Sequence, residues 1–209
     1  MRPKLVVFDL DGVIFEHNDF YMQLHEKYGT KEETREIEEK YLKTDLRKLA
    51  EIVIGRIWAG RDDSGYWEVI NDARLNPGVR EAVSEIKNND IKTMIITNSP
   101  EDNAKKAQEM AGIDHIKANW MEVKGGKITG RFDWRILWNS KGEILEEFCK
   151  EKGISLDEVA AVGDNENDIS MMEKAGLSIA FNSRSEKLKR HCDVVIEGND
   201  LREILKYLS

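Results

Sequence analysis

Five short apolar runs, at 4–10, 92–97, 159–163, 177–181 and 193–196, limit what this chain can fold into more than any other feature. Each is rich in β-branched residues and bounded by Gly, Asp or Asn, the pattern of strands buried in a parallel sheet. Helical patterns lie between several of them, at 78–89, 101–111, 141–152 and 166–175. Strands alternating with helices predict an α/β fold, a doubly wound parallel sheet with helices on both faces. Helix starts are legible too. "SPED" (Ser99 to Asp102) offers an N-cap serine with proline at the first helical position, and "SKGE" (Ser140 to Glu143) reads as a capping box.

Two segments interrupt the alternation. Residues 17 to 74 are charged and helical in pattern, with Ile37, Tyr41, Leu42, Leu46, Leu49, Ile52 and Val53 at approximate helical spacing. They read as a helical insertion after the first strand. "WMEVKGGKITGRF" reads as a β-hairpin turning at Gly125-Gly126.

The first strand, "VVFDLDGVIF", closes on two like charges, Asp9 and Asp11. A turn at Asp11-Gly12 accounts for one of them, but a carboxylate pair so close repels unless a cation or a shared proton relieves it. In extended chain, residues two apart face the same side, so Asp9 and Asp11 can meet one site. Ligands of open α/β sheets bind outside the carboxyl ends of the strands. Those ends carry Thr97-Asn98-Ser99 and "GDNEND", Gly163 to Asp168. Asp9, Asp11, Asp164 and Asp168 would then share a cleft, and an oxygen-only donor set suits Mg²⁺. Asp164 or Asn165 reads equally as a helix cap, and Thr97 or Ser99 as another. Lys141, in the first turn of a helix, opposes the helix dipole, which a bound anion such as a phosphoryl group would reverse. The four histidines, His17, His25, His115 and His191, are scattered and read as ordinary core or surface residues.

Composition narrows the partners. The 209 residues carry a net charge of −8 and are 34% charged, which disfavours nucleic acid and anionic membrane surfaces. No run approaches the roughly 20 apolar residues of a membrane span, and the N-terminus does not read as a signal peptide. Cys149 and Cys192 have neither metal-type spacing nor a disulfide framework, so a cytoplasmic protein is expected. A homodimer stands as an open alternative to a monomer.

"DLDGV", a strand closing on "TN", an isolated lysine and "GDNEND" occur in the order of the four motifs of the haloacid dehalogenase superfamily of phosphatases, which this chain resembles. Its C-terminal half and "KGGKITG" are similar to the phosphoserine phosphatase branch. The resemblance implies a Rossmann-like core at 1–15 and 75–209 and a helical cap at 16–74. It implies hydrolysis of a small phosphorylated metabolite, phosphoserine being the first candidate, through an aspartyl-phosphate. Asp9 would be the nucleophile and Asp11 the proton shuttle. Thr97, Asn98 and Lys141 would hold the phosphoryl group, and Asn167 and Asp168 would position phosphate and metal shell. Mg²⁺ would sit on Asp9, Asp164 and the Asp11 carbonyl. The branch normally carries a glutamate nine positions after the nucleophile, where this chain has Asn18, with Glu16 and Asp19 out of register. "TNS" replaces its usual "SGG". Arg56 would be the cap arginine for a substrate carboxylate, although a plain surface arginine fits the same position. Trp58, Tyr66 and Trp67 read as pocket lining or as core. A phosphotransferase or mutase shares this chemistry. A receiver-type phosphoacceptor shares the acids, hydroxyl and lysine, but has no use for so large an insertion. An inactive scaffold of the same fold is the remaining alternative, against which the complete set of motif residues speaks.

Overall fold

The computed structural model describes residues 2–16 and 19–208. Strand β1 (Leu5–Phe8) lies at the centre of a seven-stranded sheet of order β4-β3-β2-β1-β5-β6-β7. It pairs in parallel with β2 (Lys92–Pro100), Val7 opposite Met94, and with β5 (Val159–Gly163), Val7 opposite Ala161. Beyond β5, β6 (Leu177–Phe181) and β7 (Val194–Ile196) continue in parallel. On the other side, β3 (His115–Lys124) starts parallel to β2 and ends antiparallel to β4 (Lys127–Asp133).

The period-two alternation of β1 divides the core. Val6 and Phe8 face one layer, with α5 (Val79–Asn88), α6 (Glu101–Ala111) and the closing 3₁₀ helix Leu201–Tyr207. Leu5 and Val7 face the other, with α7 (Lys141–Lys152), α8 (Ile169–Met172) and α9 (Glu186–Lys189). All four β1 side chains are fully buried, which is why this strand reads as unbroken apolar sequence.

The insertion forms four helices: α1 (Phe20–Tyr28), α2 (Lys31–Tyr41), α3 (Leu46–Ile52) and α4 (Ser64–Asp72). Asp19 and Asp45 cap α1 and α3 by accepting from Met22 N and Lys48 N, and α3 runs on into a π-helical turn, Val53–Ile57. Trp58, Tyr66, Phe20 and Ile54 build a third apolar cluster, completed by Met121, Ile128 and Trp134 from the hairpin region. The hairpin turns at Gly125-Gly126, both at positive φ, as a two-residue turn requires.

Three local expectations are corrected. Ser99 and Pro100 belong to β2, so "SPED" is no serine cap: α6 starts at Glu101, and Ser99 turns to Asp11 instead. Ser140 precedes α7 without capping it, because its hydroxyl accepts from Leu137 N at 2.7 Å. The helix expected over 166–175 shortens to a 3₁₀ turn, Glu166–Asp168, and α8. Among the described residues no helix is long and apolar enough to cross a membrane, and Cys149 and Cys192 are free thiols.

The loop that follows β4 is fastened by Asn119, which is fully buried. Its Nδ2 donates to the carbonyls of Asn98 and Ile136 (3.0 and 2.9 Å), and its Oδ1 accepts from Arg135 N and Ile136 N (2.9 and 2.8 Å). Asn119→Ala should therefore destabilise the fold by about 1–3 kcal/mol, read as a lower urea midpoint, because buried main-chain groups lose their partners. An unchanged midpoint would show that water or a rearranged loop replaces them.

Candidate active site

Asp9 follows β1 and stays in its register, Asp9 N donating to the Val162 carbonyl at 2.9 Å. The chain then folds back sharply. Ile14 N and Phe15 N both donate to the Leu10 carbonyl, and the buried Asn76 side chain donates to the carbonyls of Gly12, Val13 and Phe15. Gly12 has φ +84°, and a Cβ there would lie 2.4 Å from Asp164 Oδ2. Only glycine lets the loops after β1 and β5 approach so closely.

Lys141 is fully buried where α7 begins. Its ammonium lies 2.8 Å from Asp9 Oδ1 and 2.6 Å from Asp168 Oδ1. Leu10 N also donates to Asp9 Oδ1 (2.7 Å), so both donors fall on one oxygen of that carboxylate. Asp168 Oδ2 accepts from Asp164 N and Asn165 N at 2.9 and 3.1 Å. Asn165 caps the 3₁₀ turn in a reciprocal box with Asp168, so the capping role open in the sequence falls to Asn165.

One carboxylate oxygen each from Asp9, Asp164 and Asp168 lie within 4.8 Å of one another. Three carboxylates, two buried and Asp164 half-buried, against one ammonium leave an excess of negative charge. Burial, then repulsion from Asp168, push Asp9 up to about 7 despite Lys141. Burial, then repulsion from Asp168 and Asp9, push Asp164 up as well. Burial alone would lower Lys141, but Asp168 and Asp9 outweigh it and hold the lysine charged. An all-oxygen acidic set of this kind suits a hard divalent cation.

The Asp11 side chain is not part of that cluster. Its Oδ2 accepts from the Ser99 hydroxyl, while Ser99 N donates to Thr97 Oγ1 at 3.0 Å. Asn98 Oδ1 accepts from Asn167 Nδ2 (3.0 Å), and Asn98 Nδ2 donates to the Ile136 carbonyl (2.9 Å). Asp9, Asp11, Thr97, Asn98, Asp164 and Asn167 all line one cavity of about 240 Å³, closed on its far side by the helical insertion.

The insertion supplies different groups from those expected. Arg56 is exposed and ion-paired with Glu51 at 2.7 Å, away from the cavity. Trp58 and Tyr66 are fully buried in the core of the insertion and Trp67 is exposed; none of the three lines the cavity. Tyr21, Trp134 and Trp138 line it instead, with His25 and Glu38. His25, expected to be an ordinary residue, lies 2.9 Å from Glu38 through Nε2. Nothing in the spacing of His25 and Glu38 announces that pair. Asn18 and His17 fall outside the described residues; Asp19 lines the cavity beside its capping role, and Glu16 is exposed.

Known proteins place the chain in context. A family model described as haloacid dehalogenase-like hydrolase matches residues 3–176. The chain is 35% identical over 213 aligned positions to a phosphoserine phosphatase of Methanocaldococcus jannaschii, covering 100% of this chain and 99% of that one. It is 31% identical to a phosphoserine phosphatase of Wolinella succinogenes, covering 98% and 100%. Two solved structures superpose with TM-score 0.85 at 33% identity over the whole of both chains: phosphoserine phosphatase in apo form, and a phospho-aspartyl intermediate analogue of phosphoserine phosphatase.

The raised Asp9 has a measurable consequence. The folded chain holds that proton more tightly than the unfolded chain does, so its stabilising contribution, complete below 3.8, is lost as pH rises through about 7. A divalent cation stabilises only the ionised cluster. The gain in Tm on adding Mg²⁺ should therefore be small at about pH 5 and larger at about pH 8; a gain independent of pH would contradict it.

Proposed function

The chain belongs to the haloacid dehalogenase-like hydrolase family, and from that premise we propose a Mg²⁺-dependent phosphatase in which 1–15 and 75–209 form the catalytic core and 16–74 a cap over it. The observation that carries the reading is the Asp9 carboxylate, held through one oxygen by Leu10 N and Lys141 and lining the cavity. That arrangement aims the other oxygen as a nucleophile.

Asp9 attacks phosphorus, the bond to the ester oxygen breaks, and an aspartyl-phosphate forms. Asp11 donates a proton to the departing alkoxide, then takes one from the water that cleaves the acyl-phosphate, releasing inorganic phosphate and restoring Asp9. The Ser99 hydroxyl holds Asp11 in place. The Thr97 hydroxyl and the Asn98 main chain receive phosphoryl oxygens, and Lys141 offsets their charge. Asn167 orients Asn98.

The donor set fits Mg²⁺ on two grounds: the acids exceed their buried counter-charge, and Gly12 leaves room for the loop after β1 to approach Asp164. Asp9, Asp164 and the Asp11 carbonyl would hold the cation. Asp168, with both oxygens already engaged by protein donors, fixes the loop and Lys141. Mg²⁺ supplies neutralisation of the phosphoryl oxygens and of the carboxylates they must approach. The free thiols of Cys149 and Cys192 fit a reducing, cytosolic setting. Phosphoserine is the reference substrate, because the relatives carry that name.

Phosphate release from a panel of monoesters tests the reading. Asp9→Asn should abolish it, Asp11→Asn should slow it by about 10²–10⁴-fold, and chelation of Mg²⁺ should stop it reversibly. A folded, Mg²⁺-loaded protein that releases phosphate from no ester would overturn the proposal.

A further inference from the structure

The cavity is lined mostly by apolar surface, and its wall opposite the acids comes from the insertion, with Tyr21, Leu42, Leu49 and Val53, and from the loop after β4, with Trp134 and Trp138. Among the described residues no lysine or arginine lines it. Cationic side chains close in sequence to these wall residues are engaged elsewhere: Lys48 pairs with Glu51 at 2.8 Å and Lys40 lies over the Tyr41 ring. Lys43 lies 3.1 Å from Glu166 and over the Trp138 ring; Arg47 donates to the Trp134 carbonyl at 3.2 Å; Arg56 pairs with Glu51. Lys141 lies beneath the floor, held by Asp9 and Asp168.

Glu38 is the polar group built most firmly into this wall. Trp58 Nε1 donates to Thr30 Oγ1 at 3.1 Å, and the same hydroxyl lies 2.8 Å from His25 Nδ1. His25 Nε2 donates to Glu38 Oε1 at 2.9 Å, and the Thr34 hydroxyl lies 3.1 Å from the same oxygen and 3.0 Å from the Thr30 carbonyl. Thr30, Thr34, His25 and Trp58 are all buried, so this support is rigid. Burial works against ionisation of Glu38, but the His25 and Thr34 hydrogen bonds prevail and hold it below the usual glutamate range. The result is a fixed carboxylate on an otherwise greasy wall, a partner for a donor and a repellent for an anion.

Building on the phosphomonoester reading above, we infer that the organic part of the substrate is mainly apolar, carries an amine or similar hydrogen-bond donor for Glu38, and has no carboxylate. A substrate carboxylate in this cavity would meet Glu38 and Asp19 and no lysine or arginine, and the one imidazole there, His25, is already held by Glu38, so it would be desolvated without a free partner. An amine would meet Glu38, and apolar atoms would meet Leu49, Val53 and the aromatic rings.

O-phosphoethanolamine and O-phosphoserine isolate the point, because they differ only by the carboxylate. With Mg²⁺ present, kcat/KM should be at least about tenfold higher for phosphoethanolamine, and phenyl phosphate should also exceed phosphoserine. Glu38→Gln should raise KM for phosphoethanolamine by about tenfold, by a larger factor than for phenyl phosphate. Val53→Arg should narrow the gap between phosphoserine and phosphoethanolamine. If the wild type uses phosphoserine as well as phosphoethanolamine while hydrolysing phenyl phosphate, this inference falls and the phosphatase reading stands. Equal effects of Glu38→Gln on both KM values would remove Glu38 from substrate contact and overturn the amine assignment. No release from any of the three esters by the folded protein would overturn the phosphatase reading, and this one with it.

Discussion

A single ammonium group, that of Lys141, holds the acidic end of the sheet together. A buried charge without partners is prohibitively costly, so its burial fixes where Asp9 and Asp168 must be. Asp9 terminates the central strand, Asp168 anchors the turn after β5, and Lys141 opens α7. Three separate parts of the chain meet at one nitrogen. The packing around it is tight enough that two glycines are needed: a Cβ on Gly142 would lie 2.2 Å from the Ser170 carbonyl oxygen, and one on Gly163 would lie 2.4 Å from Asp168 Oδ2. Removing the lysine would leave Asp9 and Asp168 facing each other in low dielectric. The surplus of negative charge over that one ammonium is of the kind a divalent cation would offset.

The division of labour follows from where each charge sits. The sheet edge carries the acids, the hydroxyls and the lysine, which any phosphoryl transfer through an aspartate needs. The helical insertion carries apolar side chains and a braced glutamate, which have no part in bond breaking and can only discriminate among leaving groups. In this chain the two sets meet across one cavity, so on the proposed reading the phosphoryl group and the rest of the ester would face walls of different chemistry.

Much of the sheet edge was legible in the sequence for a physical reason. An apolar run closing on Asp9 and Asp11, and a lysine placed against its helix dipole at Lys141, are locally unfavourable, and local misfits point to a site. Asp164, Asp168, Thr97 and Asn98 follow from the rule that strand ends face ligands. The insertion offered no such rule. Helical periodicity tells which face of α1 or α3 is buried, not what lies beyond it, so His25 and Glu38, on different helices, stayed invisible. Arg56 looked functional by sequence position, but Glu51 on the preceding turn gives it a surface partner. Ser99 and Ser140 are good capping residues whose hydroxyls were claimed by tertiary partners, Asp11 and Leu137 N. Asn119 betrays nothing locally, because its four hydrogen bonds all reach segments at least sixteen residues away.

The β3–β4 hairpin belongs to two bodies at once. At one end β3 is a strand of the parallel sheet, while Met121 and Ile128 at the other end are buried in the apolar cluster of the insertion. Any swing of the four helices away from the acids must therefore carry the hairpin with it, since leaving it behind would expose that cluster to water. The bend would fall where β3 departs from β2, between Lys117 and Asn119, where the pairing register already shifts. Such a bend would work directly against Asn119, whose side chain pins the start of that departure to the Asn98 carbonyl.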